Sequence, residues 1–228
     1  MSAQMDTRSR FQDVFDPLRR FAPKTIPGEH CDLCSLRLSK DHQHLLQVSQ
    51  RKIICACEAC AVLFSDGSNS RFKRIPRRAR RLEDFRLSDL DWESLRIPIG
   101  LAFFFHKSGD GSSVVTKGRP GTVALPDGRA SDTVVAFYPS PAGATESLLD
   151  LSAWTDLIRA NPLLNEMQPD VEALLVNRIA KKHEYYLAPI DECYRLVGLI
   201  RTNWRGLSGG QQVWSRIDQF FRELERRP

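Results

Sequence analysis

No stretch of this sequence comes near the roughly eighteen consecutive apolar residues that a membrane-spanning helix requires. The longest strongly apolar run, residues 97–105, is broken by Pro98 and Gly100 and suits a buried strand instead. The glycines never build a run closed by Gly-Lys-Ser/Thr, which excludes a phosphate-binding loop of that kind. No Gly-x-Ser-x-Gly elbow surrounds Ser140 in the Ser/Thr-rich stretch that holds Thr145, Glu146 and Ser147, so a turn leading into a helix is the simpler expectation there. The first ten residues are polar and basic with no apolar segment behind them, and no secretory signal is expected.

Cysteine is scarce outside one block. Five of the six cysteines lie within residues 31–60, and Cys193 stands far from them. Secreted disulfide scaffolds spread their cysteines through a small fold, whereas a tight cluster in a chain without a signal points to metal and to the cytoplasm. Cys31 and Cys34 form one Cys-x-x-Cys pair and Cys57 and Cys60 a second, the layout in which two tight turns grip one tetrahedral ion. Zinc is the expected occupant, as a closed structural site. Cys55 supplies an alternative ligand and keeps iron or an iron–sulfur cluster open as the alternative cofactor. His30, His42 and His44 read as solvent-facing, or one of them as a donor to a thiolate. Asp41-His42 resembles part of a His-Asn-His nuclease site, but residues 61–64 lack the Asn or His that would hold its cation, so no catalytic residues are assigned.

With 42% hydrophobic residues over 228 positions, the chain can build one medium domain beside a small module. Three segments are expected: a tail and short helix over 1–28, a cysteine-rich metal module with a basic linker over 29–81, and an α+β domain over 82–228. In the first, Phe11, Val14, Phe15, Leu18 and Phe21 recur at helical spacing around Pro17. In the second, residues 44–48 and 52–55 predict a hairpin between the cysteine pairs. This is the order of a zinc ribbon, or of a treble clef if the second pair opens a helix. So short a segment needs its metal to fold.

The net charge of +5 rests on 25 Arg against 8 Lys, and seven of the eleven residues from 71 to 81 are basic. That run is either a phosphate-contacting arm or a solvated linker neutralised by the acidic residues Glu83, Asp84, Asp89, Asp91 and Glu93. Only Phe72 interleaves it, which disfavours nucleic acid as partner without excluding it.

In the third segment, strands are expected over 97–105, 133–138, 173–178 and 184–188, and a small hairpin pairs 114–116 with 122–125. Helices are expected over 148–160, 191–204 and 209–226. Val213, Trp214, Ile217, Phe220, Phe221 and Leu224 form the buried stripe of the last, with Ser208 and Gln211 as a capping box. Strands grouped before helices predict a small four-cysteine module followed by a mainly antiparallel sheet with packed helices. Cys193 reads as a small buried side chain. Arg205, Ser208, Gly209 and Gly210 ahead of the last helix form a candidate anion site.

The chain resembles an uncharacterised bacterial family associated with gene neighbourhoods of nickel–iron uptake hydrogenases. The resemblance rests on Cys55-Ala56-Cys57-Glu58-Ala59-Cys60-Ala61-Val62-Leu63-Phe64, on Ile97-Pro98-Ile99-Gly100-Leu101-Ala102-Phe103-Phe104-Phe105, on Tyr138-Pro139-Ser140-Pro141-Ala142-Gly143-Ala144-Thr145-Glu146-Ser147, and on Cys193-Tyr194-Arg195-Leu196-Val197-Gly198-Leu199-Ile200-Arg201 with residues 204–210. No activity is assigned to that family. What the resemblance implies is a context: an accessory protein with a protein partner among hydrogenase components, serving their assembly or their electron-transfer complex. Arg195, Arg201 and Arg205 and the stretch 138–147 then become candidates for a partner surface. The reading is therefore a cytoplasmic, non-catalytic metal-binding accessory protein, with a rubredoxin-like electron carrier and a zinc-ribbon nucleic-acid binder as alternatives.

Overall fold

The computed structural model describes residues 28–65, 71–108, 133–147, 149–206 and 208–226. The helical stripe of residues 11–21 and the hairpin expected over 114–125 lie outside these. Two antiparallel sheets organise the described chain. The smaller is built from β1 (Gln43–Gln47), β2 (Lys52–Ala56) and β3 (Phe72–Arg74) in the order β2-β1-β3. The larger takes β4 (Arg80–Arg81), β5 (Leu101–Lys107), β6 (Thr133–Ser140), β7 (Gly143–Ser147), β8 (Glu172–Asn177) and β9 (Glu184–Pro189) in the order β4-β9-β8-β5-β6-β7. Its helices are α2 (Asp89–Ser94), α3 (Leu151–Ala160), α4 (Ile190–Asn203) and α5 (Gly210–Arg226), while α1 (Glu58–Ser65) belongs to the cysteine region. The fold is α+β with a cysteine-rich module.

Strand β5 shows why the large sheet is covered twice. Successive side chains of a strand point to opposite faces. Leu101, Phe103 and Phe105 enter a core with Leu175, Tyr186, Cys193, Ile217 and Phe221, under α4 and α5. Ala102 and Phe104 enter a second core with Leu174, Val176, Leu187 and Trp154, under α3 and the segment that carries Leu82, Phe85 and Leu95. Phe104 stacks on Trp154 with ring centroids 5.4 Å apart. Both faces are apolar because both are buried, which is why no polar alternation marks the strand in sequence.

Two boundaries differ from expectation. The strand expected from residue 97 begins at Leu101, because Pro98 brings no N–H and Gly100 packs against the Arg178 backbone so closely that a Cβ there would sit 3.0 Å from it. The stretch expected as a loop before α3 contains β7, which pairs Ser140 with Gly143 around the two-residue turn of Pro141 and Ala142. Its prolines and Gly143, at φ +129°, disguise the hairpin. Helix α3 then starts at its cap, where the Asp150 carboxylate accepts from Ser152 N at 2.9 Å. Helix α5 buries Val213, Ile217, Phe220, Phe221 and Leu224, and Trp214 of the expected stripe stays 39% exposed.

The small sheet is not an isolated unit. On β1, Leu45 packs into the cysteine-lined core. The next residue, Leu46, packs with Ile75 into the first core of the large sheet. Asp170 ties the same seam. Its side chain is 1% exposed and meets Lys73 Nζ at 2.7 Å and Arg51 at 3.2 Å. It also accepts the Ser108 N–H at 3.0 Å and the Ser108 hydroxyl. Four of the seven basic residues in 71–81 pair with carboxylates from elsewhere than the acidic segment after the run: Lys73 with Asp170, Arg74 with Glu58, Arg80 with Glu166 and Arg81 with Glu225.

Removing a buried carboxylate that gathers this many donors is costly. Asp170→Ala is expected to destabilise the protein by about 2–4 kcal/mol, read from the midpoint of urea unfolding. An unchanged midpoint would show that the seam does not depend on this carboxylate.

Candidate metal centre

Each cysteine pair sits on a turn whose backbone bonds are made locally. At the first, Cys31 N donates to Leu36 O at 2.8 Å and Ser35 N to Cys31 O at 2.8 Å, with Ser35 in the left-handed region at φ +62°. At the second, the chain leaves β2 and turns into α1, where Ala61 N donates to Cys57 O at 2.9 Å and Cys60 N points at Cys57 Sγ at 3.5 Å. Turn, hairpin and helix follow in the order of a treble clef. Asp32 ties the first turn to β2, just ahead of the second: its carboxylate accepts Cys55 N at 2.7 Å, and its own N–H donates to Cys55 O at 2.9 Å.

The outcome is convergence. The sulfurs of Cys31, Cys34, Cys57 and Cys60 all lie within 4.8 Å of one another, three of them on buried residues and Cys34 at the surface. Cys34 Sγ and Cys57 Sγ stand 3.7 Å apart. That is far beyond a disulfide bond, and all six cysteines are free thiols. A tetrahedron with metal–sulfur bonds of about 2.3 Å has edges of about 3.8 Å, so the spacing fits a thiolate-bound metal such as zinc or iron.

The electrostatics of the four are uneven. Burial opposes ionisation of Cys31, but the backbone donors of Cys57, Leu33 and Cys34, with the Cys34 thiol, outweigh it and bring Cys31 down to about 6. Burial and the neighbouring Cys57, Cys34 and Cys31 push Cys60 up to about 12. Four thiolates this close repel one another unless a cation joins them.

Cys55 points elsewhere. It pairs across the hairpin with His44, and its sulfur lies with a nitrogen of His42 and one of His44, all within 4.8 Å. The two histidines turn toward each other, Nε2 to Nε2 at 3.1 Å, and the His42 side chain is only 6% exposed. The Asp191 carboxylate, 2.6 Å from His44 Nδ1, is the main reason the pKa of His44 is raised. Sequence reading missed this group. The available signal was the His-x-His step, since alternate residues of a strand share a face.

The arginines proposed for an anion or partner surface are dispersed in use. Arg195 Nε donates to Glu192 at 2.7 Å, and its guanidinium lies 4.4 Å over the Phe220 ring, turned against α5. Arg201 is exposed on α4. Arg205, Ser208, Gly209 and Gly210 share one turn, in which Arg205 N donates to Gly209 O at 3.0 Å and Trp214 Nε1 to Ser208 O at 3.3 Å. Gly206, Ser208 and Gly210 stand at Gly-x-Ser-x-Gly spacing, but the turn joins two helices and not a strand to a helix. Ser140 bonds within its own hairpin, to Gly143 O and Thr145 Oγ1 at 3.0 Å each. Cys193 is fully buried. Among the described residues no helix is long and apolar enough to cross a membrane.

A family model described as "Family of unknown function (DUF5947)" matches residues 30–125 and 121–228. No curated protein and no solved structure matches the chain.

Because a metal competes with protons for the four sulfurs, its loading at pH 7 must expel the proton that Cys60 otherwise keeps. Apparent metal affinity is expected to rise from pH 6 to pH 8, with protons released on loading. Calorimetry in buffers of different ionisation enthalpy measures both, and an affinity independent of pH would contradict thiolate ligation.

Proposed function

The chain belongs to this family of unknown function, and we propose that it is a non-catalytic accessory protein whose four-cysteine cluster holds one structural zinc and thereby fixes a docking surface for a protein partner. The observation that carries this reading is the placement of α1. Two of the four cysteines hold its N-terminal turn, and the helix carries Val62, Leu63 and Phe64 at 56%, 73% and 43% exposure, with Leu36 of the first turn at 58%. Apolar side chains left exposed around a short helix, on a turn that a metal would hold in place, are a means of presenting a recognition surface. The resemblance to a hydrogenase-associated family gives that partner a chemical identity: components of a nickel–iron hydrogenase, engaged during assembly or within the electron-transfer complex in the cytoplasm.

Cys31, Cys34, Cys57 and Cys60 are the ligands in this reading. The set is complete without Cys55, and four sulfurs within 4.8 Å of one another suit a single tetrahedral ion better than the wider ligand spread of a cluster. Zinc supplies no redox chemistry here. It screens the like charges of four thiolates and substitutes for the apolar core that a module of this size lacks. The cysteine module and the domain from residue 82 onward are proposed as the two functional parts. The internal pairing of Lys73, Arg74, Arg80 and Arg81 weighs against a phosphate-contacting arm.

Chelation is the direct test of the staple. Free zinc at about 1,000 times its dissociation constant stabilises the folded state by about 4 kcal/mol, so removing it is expected to lower the unfolding midpoint, and Cys60→Ser is expected to do so without chelator. A midpoint indifferent to both would remove the structural role. The docking surface has its own test. Leu63→Glu is expected to abolish capture of purified hydrogenase components while changing stability by no more than about 0.5 kcal/mol, as exposed substitutions do. Unaltered capture by that variant would place the partner surface elsewhere.

A further inference from the structure

The face of the β1–β2 hairpin turned away from the four-cysteine cluster carries a second constellation. Leu45, Ile54 and Ala56 point into the cysteine-lined core. The alternate residues His44 and Cys55, which are cross-strand partners, therefore share the other face, with His42 one step along it.

The hydrogen bonds of the two histidines fix their tautomers. His42 Nδ1 lies 2.9 Å from the Ser39 carbonyl and 3.4 Å from Glu29 Oε2, and both can only accept. His44 Nδ1 lies 2.6 Å from Asp191 Oδ2. Each Nδ1 is thus the donor, and in the neutral ring each Nε2 is left as a bare lone pair. Those lone pairs face each other at 3.1 Å. Two acceptors at that distance repel unless a positive species sits between them.

A single proton would relieve the histidine pair, but it gives the third member no part. Cys55 Sγ belongs to the same group, within 4.8 Å of one ring nitrogen of each histidine. Glu29, Asp191 and Glu192 bear electrostatically on His44, and Asp32 and Glu29 on Cys55. The charge environment thus favours a cation. The spacing is also that of metal ligands: two nitrogens bound at about 2.0–2.1 Å in a tetrahedral shell stand about 3.3 Å apart. A carboxylate that holds Nδ1–H while Nε2 faces the metal is the usual way a ligating histidine is oriented.

We propose that His42 Nε2, His44 Nε2 and Cys55 Sγ form a second, separate site for a zinc-class divalent ion, with Asp191 positioning His44. It uses three protein ligands and keeps a fourth position for water or an anionic ligand, unlike the closed four-cysteine set. On loading, Cys55 gives up its thiol proton to solvent and both imidazoles remain neutral. The site lies on the seam between the hairpin and the N-terminal turn of α4, because Asp191 belongs to α4.

The test is metal content of the full chain, stripped and reloaded with Zn(II), with Co(II) as a spectroscopic probe. The expected result is two zinc ions per wild-type chain, and one in Cys55→Ser and in a His42→Ala/His44→Ala variant. The ion these variants retain should show the all-sulfur Co(II) spectrum, which also reports that the module is folded. Asp191→Asn is expected to weaken only the second binding event, by about 10- to 100-fold, and it decides the matter if the histidine variant does not fold. A purely structural Asp191 would lower stability without separating the two events. One zinc in the wild type that survives in the histidine variant, or two that both survive, would overturn the proposal and leave the histidines sharing a proton only. One zinc lost in the histidine variant but kept in Cys60→Ser would support this site and reject the four-cysteine reading instead.

Discussion

Four sulfur atoms within 4.8 Å of one another impose the constraint on which the cysteine module depends. Ionised, they repel; protonated, they leave polarisable but weakly bonding groups at the centre of a very small core. Of the eight buried residues in that core, Cys31, Cys57 and Cys60 are three, joined by Leu45, Ile54, Ala56, Ala61 and Phe72. A cluster this size buries far too little apolar surface to offset the conformational entropy of two turns, a hairpin and a helix. A cation joining the four sulfurs would convert the repulsion into four bonds and close the deficit, at the point where the two turns and the start of α1 meet.

Strand β1 carries that order into the rest of the chain. Its alternate faces belong to different cores, Leu45 to the cysteine cluster and Leu46 to the core beneath α4 and α5. Asp170 fastens the small sheet from the side through Arg51 of the β1–β2 turn and Lys73 of β3, and His44 reaches Asp191 on α4. The four-cysteine cluster is thereby tied to the large sheet, and α1 packs on β1 and β3 of the small sheet. An exposed apolar helix on a rigid base suits recognition better than chemistry. This separates a structural four-cysteine site from the more open His42, His44 and Cys55 group on the opposite side of the hairpin.

The sequence was most legible where chemistry or periodicity is local. Two Cys-x-x-Cys pairs announce two turns whatever lies between them, and the stripe from Val213 to Leu224 declares α5. Legibility failed where the deciding fact was tertiary. Strand β7 is hidden by Pro139, Pro141 and Gly143, which read as a loop until β6 is seen beside them. Helix α1 was ambiguous because Ala61-Val62-Leu63-Phe64 suits a strand as well as a helix, and only the placement of Cys57 and Cys60 resolves it. The partners of the basic run come from Glu58, Asp170, Glu166 and Glu225, three of them at sequence distances no local pattern can report. Nothing near Asp191 in sequence points to His44, 147 positions away.

The central claim is that four cysteine thiolates bind one zinc. Zinc K-edge X-ray absorption of the full chain loaded with a single equivalent measures this directly. The account predicts a first shell of four sulfurs at about 2.3 Å with no nitrogen or oxygen scatterer. A shell dominated by nitrogen or oxygen at about 2.0–2.1 Å would contradict it and assign the tighter site to the histidine face of the hairpin.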